Sequence, residues 1–255
     1  MEEKIGSAVT WLHFFADGVS QDAENIKRSL VNAGVDPQPL ASGTADCPGI
    51  VVFDTLSPGL CEFLRETSRN GAERVLAVAF PESSVKPTEF WALLDAGAAD
   101  AFLWDRVRDT ASQIAARIER WQAVDSLLRS PLVTKNLIGG SPAWKTILRQ
   151  IVEVARFTDA SVLILGDTGT GKELVARLIH TLDARPTKRD LVVVDCTTIV
   201  PELSGSEFFG HERGAFTGAV GPRDGAFALA NSGSLFLDEV GEFPPALQAQ
   251  LLRVI

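Results

Sequence analysis

The sequence predicts an α/β protein in two parts, a doubly wound parallel sheet followed by an incomplete phosphate-loop α/β domain. Three observations predict it. Through the amino-terminal part, short apolar runs alternate with helix-spaced apolar positions, the rhythm of βα repeats. Further on, Gly166-Asp167-Thr168-Gly169-Thr170-Gly171-Lys172-Glu173 follows an apolar run and opens a helical pattern, the context a phosphate-cradling loop requires. A later apolar run, Leu235-Phe236-Leu237, ends in the acidic pair Asp238-Glu239.

The elements follow in order. Strands are expected at Thr10–Phe15, Ile50–Asp54, Val75–Phe80 and Ala101–Leu103, with a weaker one near Gln38–Ala41. Between them, Gln21–Val31, Leu60–Arg69 and Thr88–Ala96 carry helix-spaced apolar residues, and Gly34 and Gly71 suit helix ends. The sum is a five-strand parallel sheet with helices on both faces, the flavodoxin-like arrangement. A long helix is expected from about Asp105 to Arg129. Val107, Ala111, Ile114, Ile118, Trp121 and Leu128 fall on a seven-residue pattern that Asp125 interrupts. Such a face either packs on its own domain or joins two chains as a dimerising helix. Ser130-Pro131 ends it. Beyond Leu137, Ser141-Pro142 starts a helix to about Arg156, Ser161–Leu165 reads as a buried strand, Glu173–Leu182 as a helix, and Leu191–Asp195 and Ser234–Leu237 as strands. The expected division is a first α/β domain over 1–110, a helical linker over 111–135 and a phosphate-loop domain over 136–255.

Composition narrows the function classes. Hydrophobic residues make up 45% of the 255 residues and charged residues 22%, enough to build two cores. No apolar run is long enough to span a membrane and no charged-then-apolar leader opens the chain, so cytoplasm is the expected compartment and no membrane partner is expected. Cys47, Cys61 and Cys196 lack metal-ligand spacing and read as reduced thiols. Residues 1–110 hold 9 Lys and Arg against 17 Asp and Glu; residues 111–255 hold 15 against 16. Neither part offers the basic surface that a nucleic-acid backbone attracts.

The nucleotide site can be argued residue by residue. The glycines of 166–171 let backbone N–H groups turn inward around phosphates. The following helix N-terminus adds partial positive charge, and Lys172 adds a full one. A Gly-rich turn that binds nothing is disfavoured, because strand, loop, Lys and later acidic strand end occur together. Asp238 is the candidate magnesium holder and Glu239 the candidate base that orients an attacking water. The expected cofactors are ATP and Mg2+.

Between these two halves lies Gly214-Ala215-Phe216-Thr217-Gly218-Ala219. With the phosphate loop before it and the acidic strand end after it, this GAFTGA stretch closely resembles the sigma-54-dependent transcriptional activators of bacteria, which are AAA+ ATPases. The resemblance runs from Leu137 to Ile255. Glu207-Phe208-Phe209-Gly210-His211-Glu212-Arg213 leads into GAFTGA much as that family's ELFGHEKGAFTGA does, and Leu247-Gln248-Ala249-Gln250-Leu251-Leu252-Arg253 matches the helix after the acidic strand. Ile138-Gly139-Gly140-Ser141 is similar to the family's adenine-lining segment. Glu173 stands where phosphate loops usually carry Ser or Thr, yet the family commonly reads GETGTGKE. The resemblance implies that residues 214–219 contact sigma-54 RNA polymerase and move with the hydrolysis state, with Phe216 and Thr217 at the tip. Asp195 departs from the Asn usual in the family, which holds the catalytic Glu by a donated hydrogen bond; an ionised Asp cannot donate it. His211 has no partner ligand at metal spacing and reads as a loop-packing residue.

Residues 8–110 resemble, less closely, the receiver domains of two-component signalling. Asp54 with Pro58 four residues on is similar to the phosphoacceptor segment, which makes Asp54 a possible phosphoacceptor. Only Asp17 represents the acidic pair, Ala79 stands where a hydroxyl belongs, and Trp104-Asp105 replace Lys-Pro. A protein-binding pseudo-receiver is therefore the expectation. The fold implied for the second domain has five strands and only three are expected before Ile255, so the chain is expected to be truncated and not a competent ATPase alone. Assembly is expected as a dimer through the linker helix and as a ring when complete, with DNA contacted only through a region absent from this chain. A non-catalytic regulatory fragment is the alternative.

Overall fold

The computed structural model describes residues 8–15, 21–40, 47–69, 71–80, 83, 85–105, 109–200, 203–215, 219–243, 248 and 251. It divides into two compact units, Met1–Ala123 and Val124–Ile255. The division falls inside a helix, one residue pair beyond the last buried aromatic of the first unit, Trp121.

In the first unit the elements run β1 (Ala8–Phe15), α1 (Gln21–Asn32), β2 (Val35–Pro39), β3 (Gly49–Phe53), α2 (Pro58–Thr67), β4 (Val75–Ala79), α3 (Phe90–Asp95), β5 (Asp100–Leu103) and α4 (Thr110–Arg129), which crosses the division. The five strands pair in parallel in the order β2-β1-β3-β4-β5. This is the doubly wound topology expected from the alternating pattern.

Side chains alternate across the sheet and so build two cores. Leu12, Ile50, Val52, Leu76 and Val78 face Ile26 and Leu30 of α1 and Ile114, Ile118 and Trp121 of α4. Trp11, Val51, Phe53, Val75, Ala77 and Ala79 face Leu60 and Leu64 of α2 and Leu93 of α3. Every residue of β4 is fully buried, as a central parallel strand covered on both faces must be. Gly49 is required where β3 begins, because a Cβ there would meet the Trp11 ring at 1.9 Å.

β2 begins earlier than expected, at Val35, and contains Pro37 and Pro39. Proline removes a ladder donor, which only an edge strand tolerates, and β2 pairs with β1 alone. Ser57 caps α2 by accepting from the Leu60 amide at 3.2 Å, with Pro58 opening the first turn.

The seven-residue pattern on α4 has its explanation in this unit. Ala111, Ile114, Ile118 and Trp121 are buried against the unit's own sheet, and the Arg74 guanidinium lies 5.4 Å from the Trp121 ring while donating to the Trp121 carbonyl at 3.0 Å. The seam offered above for a dimer through the linker helix is thus occupied within the chain. Val107 of that pattern lies outside the described residues.

The second unit contains the end of α4, then α5 (Pro131–Thr134), α6 (Pro142–Phe157), α7 (Lys172–Leu182), β6 (Leu191–Asp195), α8 (Ser204–Phe209), α9 (Ala226–Leu229) and β7 (Ser234–Asp238). Val124, Val133, Leu137, Leu148, Val152 and Leu178 form one core, and Cys196, Phe208, Ala226 and Phe243 another. Ser141 caps α6 by accepting from the Trp144 amide at 3.2 Å. β6 and β7 pair in parallel, with Asp195 opposite Asp238 at their carboxyl ends.

Ser161–Leu165 corrects the expectation of a buried strand. It forms no strand, and Leu163 and Leu165 are 71% and 83% exposed. Among the described residues the only ladder in this unit is β6 with β7. An apolar run becomes a strand only when a neighbour accepts its hydrogen bonds. No helix among the described residues is long and apolar enough to cross a membrane.

Candidate nucleotide site

The loop from Gly166 to Gly171 is shaped by local rules before any ligand is considered. Gly169 and Gly171 have φ of +82° and +88°, backbone that side-chain-bearing residues rarely adopt. The Thr170 hydroxyl and amide both donate to the Asp167 carbonyl, at 2.7 and 3.3 Å, and close the loop on itself. Gly166 makes room for this closure, because a Cβ there would stand 2.8 Å from the Thr170 hydroxyl oxygen. Gly171 is the residue before α7, so the loop delivers its amides and the α7 N-terminus to one place.

Lys172 opens α7 and folds back over that loop. Its Nζ donates to the Gly166 carbonyl at 3.1 Å and the Asp167 carbonyl at 3.4 Å. The same Nζ lies 3.3 Å from Glu239 Oε1, so the ammonium and the acidic strand end meet in space although 67 residues separate them. Asp238 is the last residue of β7, and its Oδ1 accepts the Glu239 amide at 3.0 Å. Glu239 itself sits at φ +49°, left-handed backbone for a residue with a long side chain.

Two acidic side chains near the site are already committed. Glu173 receives the Arg177 guanidinium at 2.6 and 2.9 Å one helical turn on. Asp195 Oδ1 accepts both the Thr197 amide at 2.9 Å and the Thr197 hydroxyl at 2.6 Å. Those bonds, the hydroxyl first, hold the Asp195 carboxyl below the usual carboxylate range. Between them, Cys196 is buried and its thiol is pushed up to about 11 by desolvation, then by the charges of Asp195 and Asp238. A thiol in that state is an inert packing residue, as the sequence suggested.

Neither Thr197 nor Arg177 was singled out from the sequence. The Glu173–Arg177 spacing of four was visible there. The Asp-Cys-Thr turn was visible too, since Asp side chains commonly accept from the amide two residues on.

Of the other candidates, Ile138 is 90% exposed. Gly139 lies against Trp144, whose ring would stand 2.2 Å from a Cβ at that position. At the far end of the second unit, Gln248 and Leu251 are described, while Leu247, Ala249, Gln250, Leu252 and Arg253 lie outside the described residues.

The GAFTGA stretch belongs to an excursion clamped at its stems. His211 and Arg223 exchange backbone hydrogen bonds at 3.0 and 2.9 Å. Above that pair, the Gly214 amide donates to the Ala219 carbonyl at 3.0 Å, with Gly214 at φ +83°. Ala215 lies between them; Phe216, Thr217 and Gly218 lie outside the described residues. Below the pair, Gly210 and Gly225 pass so closely that a Cβ on either would meet backbone of the other stem, Arg223 O at 2.5 Å or Gly210 N at 2.3 Å. Phe208, Phe209, Phe227 and Phe243 cluster beneath, with Phe209 stacked on Phe227 and Phe243 edge-on to Phe208. The His211 Nδ1 lies 2.6 Å from the Ser206 hydroxyl, a hydrogen bond within the excursion's base.

In the first unit, Asp54 follows β3 and is exposed. Among the described residues it makes no ion pair. Ala79 and Trp104, which stand where a receiver has its hydroxyl and Lys, are buried, Trp104 in the core with α1 and α4. Asp17 lies outside the described residues.

Residues 137–255 match the family model described as "Sigma-54 interaction domain". The Transcriptional regulatory protein ZraR of Salmonella typhimurium is 44% identical over 166 residues, 64% of this chain and 37% of that protein. The Nif-specific regulatory protein of Bradyrhizobium diazoefficiens is 50% identical over 127 residues, 50% of this chain and 22% of that protein. Among solved structures, NtrX from Brucella abortus aligns with 24% identity and a TM-score of 0.40, over 96% of this chain and 56% of that one. The chain thus spans well under half the length of the curated relatives it matches.

Proposed function

We propose, from the premise that residues 137–255 belong to the sigma-54 interaction domain family, that this chain is part of an ATP-dependent activator of sigma-54 RNA polymerase. The observation that carries the reading is the meeting of Lys172 with Glu239 at 3.3 Å beside a glycine-shaped loop. A phosphate-binding cation and a candidate base stand within reach of one another, with the partner-contacting stretch 214–219 on the polypeptide between them.

The roles follow from charge and position. The loop amides of 166–171 and the α7 N-terminus receive the β- and γ-phosphates, and Lys172 neutralises them. Ile138 and Gly139 lie on the segment assigned to the adenine. Asp238 fits a magnesium ion, which takes one or two carboxylates and completes its shell with phosphate oxygens and water. When bound, the ion would withdraw charge from the phosphoryl oxygens. Glu239 would orient the attacking water and accept its proton. Residues 214–219 carry the result to sigma-54. We further propose that the first unit works by protein contact, since Trp104 and Ala79 leave Asp54 without the cation and hydroxyl that phosphoryl transfer needs. Ring assembly and DNA contact belong to the longer protein that its relatives suggest.

The test has two arms. Lys172→Ala should weaken binding of a fluorescent ADP analogue by about a hundredfold, the weight of a charge-assisted phosphate contact; unchanged affinity sinks the nucleotide site. Thr217→Ala should keep nucleotide affinity within about twofold and lose sigma-54 binding. Retained sigma-54 binding would remove the loop from the interface.

A further inference from the structure

The ion pair between Lys172 and Glu239 has a consequence for how the proposed site switches. The ammonium that should meet phosphate meets the candidate base, at 3.3 Å. The pair is half sheltered, with the lysine side chain 17% exposed and the glutamate 40%. Asp195, directly opposite Asp238 in the ladder, does not compete for Glu239, because its Oδ1 already accepts two hydrogen bonds from Thr197. An ionised carboxylate there has no proton to donate to a second carboxylate. Glu239 is therefore restrained from the phosphate-loop side, and it is restrained on left-handed backbone at φ +49° and ψ 43°. Residues other than glycine persist in that region where their surroundings hold them.

We infer that Lys172 and Glu239 form a latch that nucleotide opens: phosphate takes the Lys172 ammonium, and the released Glu239 becomes available to the attacking water. The inference rests on the nucleotide reading of the site. It goes beyond that reading by giving Lys172 a second role, restraint of the base. The two demands compete for one ammonium, since a phosphate oxygen and Glu239 Oε1 both draw on its three N–H groups, two of which already serve Gly166 and Asp167. Occupancy of the phosphate position and capture of the base are then coupled with no moving domain. Phosphate affinity is reduced by whatever the latch contributes.

Binding of ADP to the full 255-residue chain in EDTA, with no magnesium, tests this by calorimetry. Glu239→Asp retains the charge but shortens the side chain by one methylene, so the contact with Nζ is lost. The latch predicts that ADP binds about threefold tighter to Glu239→Asp, the size of a half-exposed ion pair. Asp238→Asn, which removes a charge one residue away, should tighten binding less than Glu239→Asp does. If Glu239→Asp binds ADP like the parent chain, the latch is wrong. If Asp238→Asn tightens binding as much as Glu239→Asp, the effect is the general field of the acidic pair and the latch is likewise wrong. Glu239→Gln gives a second substitution at the same position, with circular dichroism to check its fold, and the latch requires it to tighten binding at least as much. Should the parent chain bind no ADP at all, the nucleotide reading itself falls with the latch.

Discussion

The two sheets of this molecule are built from similar apolar runs and end in very different states. In the first unit five strands pair, and the central ones, β3 and β4, are buried along their whole length. In the second, β6 and β7 pair only with each other among the described residues, no residue of β7 is fully buried, and the apolar run 161–165 stays out of any ladder. Val75–Ala79 and Ser161–Leu165 are both five residues long and both mostly aliphatic. What separates them is company. Val75–Ala79 has a strand on each side and helices over both faces, whereas Leu163 and Leu165 face solvent. A strand is a property of a pairing, and apolar sequence supplies only one half of it.

The contrast yields measurements in order of size. Amide hydrogen exchange should separate the two runs most, with Ile50–Phe53 and Val75–Ala79 protected by about a thousandfold or more over Val162–Leu165. Comparable protection in both would mean that the second run is paired in solution. Mutational stability should separate them next. Leu76→Ala, at a fully buried position, should cost about 3 kcal/mol of unfolding free energy in urea, while Leu163→Ala should cost under about 0.5 kcal/mol. A loss above about 2 kcal/mol for Leu163→Ala would show it in a core.

The smallest effect concerns His180, near the end of α7, whose Nδ1 lies 2.9 Å from the Ser234 hydroxyl at the start of β7. Desolvation, then the Lys188 charge, lowers its pKa below the ordinary 6.5, so the folded state prefers the neutral ring. A depressed folded-state pKa contributes stability above the unfolded value and loses it as pH falls through the folded one. The second unit should therefore weaken modestly as pH falls from about 6.5 through the folded-state value. In His180→Gln the urea midpoint should vary less over that window. An identical pH dependence in the variant would remove His180 as its source. His13 in the first unit is lowered by desolvation alone, so a matching His13→Gln series compares the two units directly.

Much of the first unit was legible in the sequence because its signals are local and its partners are all on hand. The alternation of strand and helix periods implied the sheet, and Gly34 marked the end of α1 at φ +91°; α2 instead ends at Thr67, with Arg69 in left-handed backbone ahead of Gly71. The start of β2 was not legible, since Pro37 and Pro39 argue against any strand unless its edge position is known. The α4 pattern was legible as apolar but not as to its partner, because a seven-residue repeat looks the same against a sheet as against a second helix. In the candidate site, the loop and the acidic strand end could be read as motifs. Their juxtaposition through Lys172 and Glu239, and the capture of Asp195 by Thr197, depend on how side chains rotate once the backbone is set.

The glycine clamp below the GAFTGA stretch sets a limit of another kind. Because Gly210 and Gly225 touch backbone to backbone, the excursion has a fixed origin at His211 and Arg223. Half of the residues between those stems, drawn out at about 3.3 Å each, reach about 20 Å and no further. That length is a gauge. Any surface the tip engages must come within it, and neither lengthening of the stems nor a slip of the clamp could be absorbed without changing which surfaces are in range.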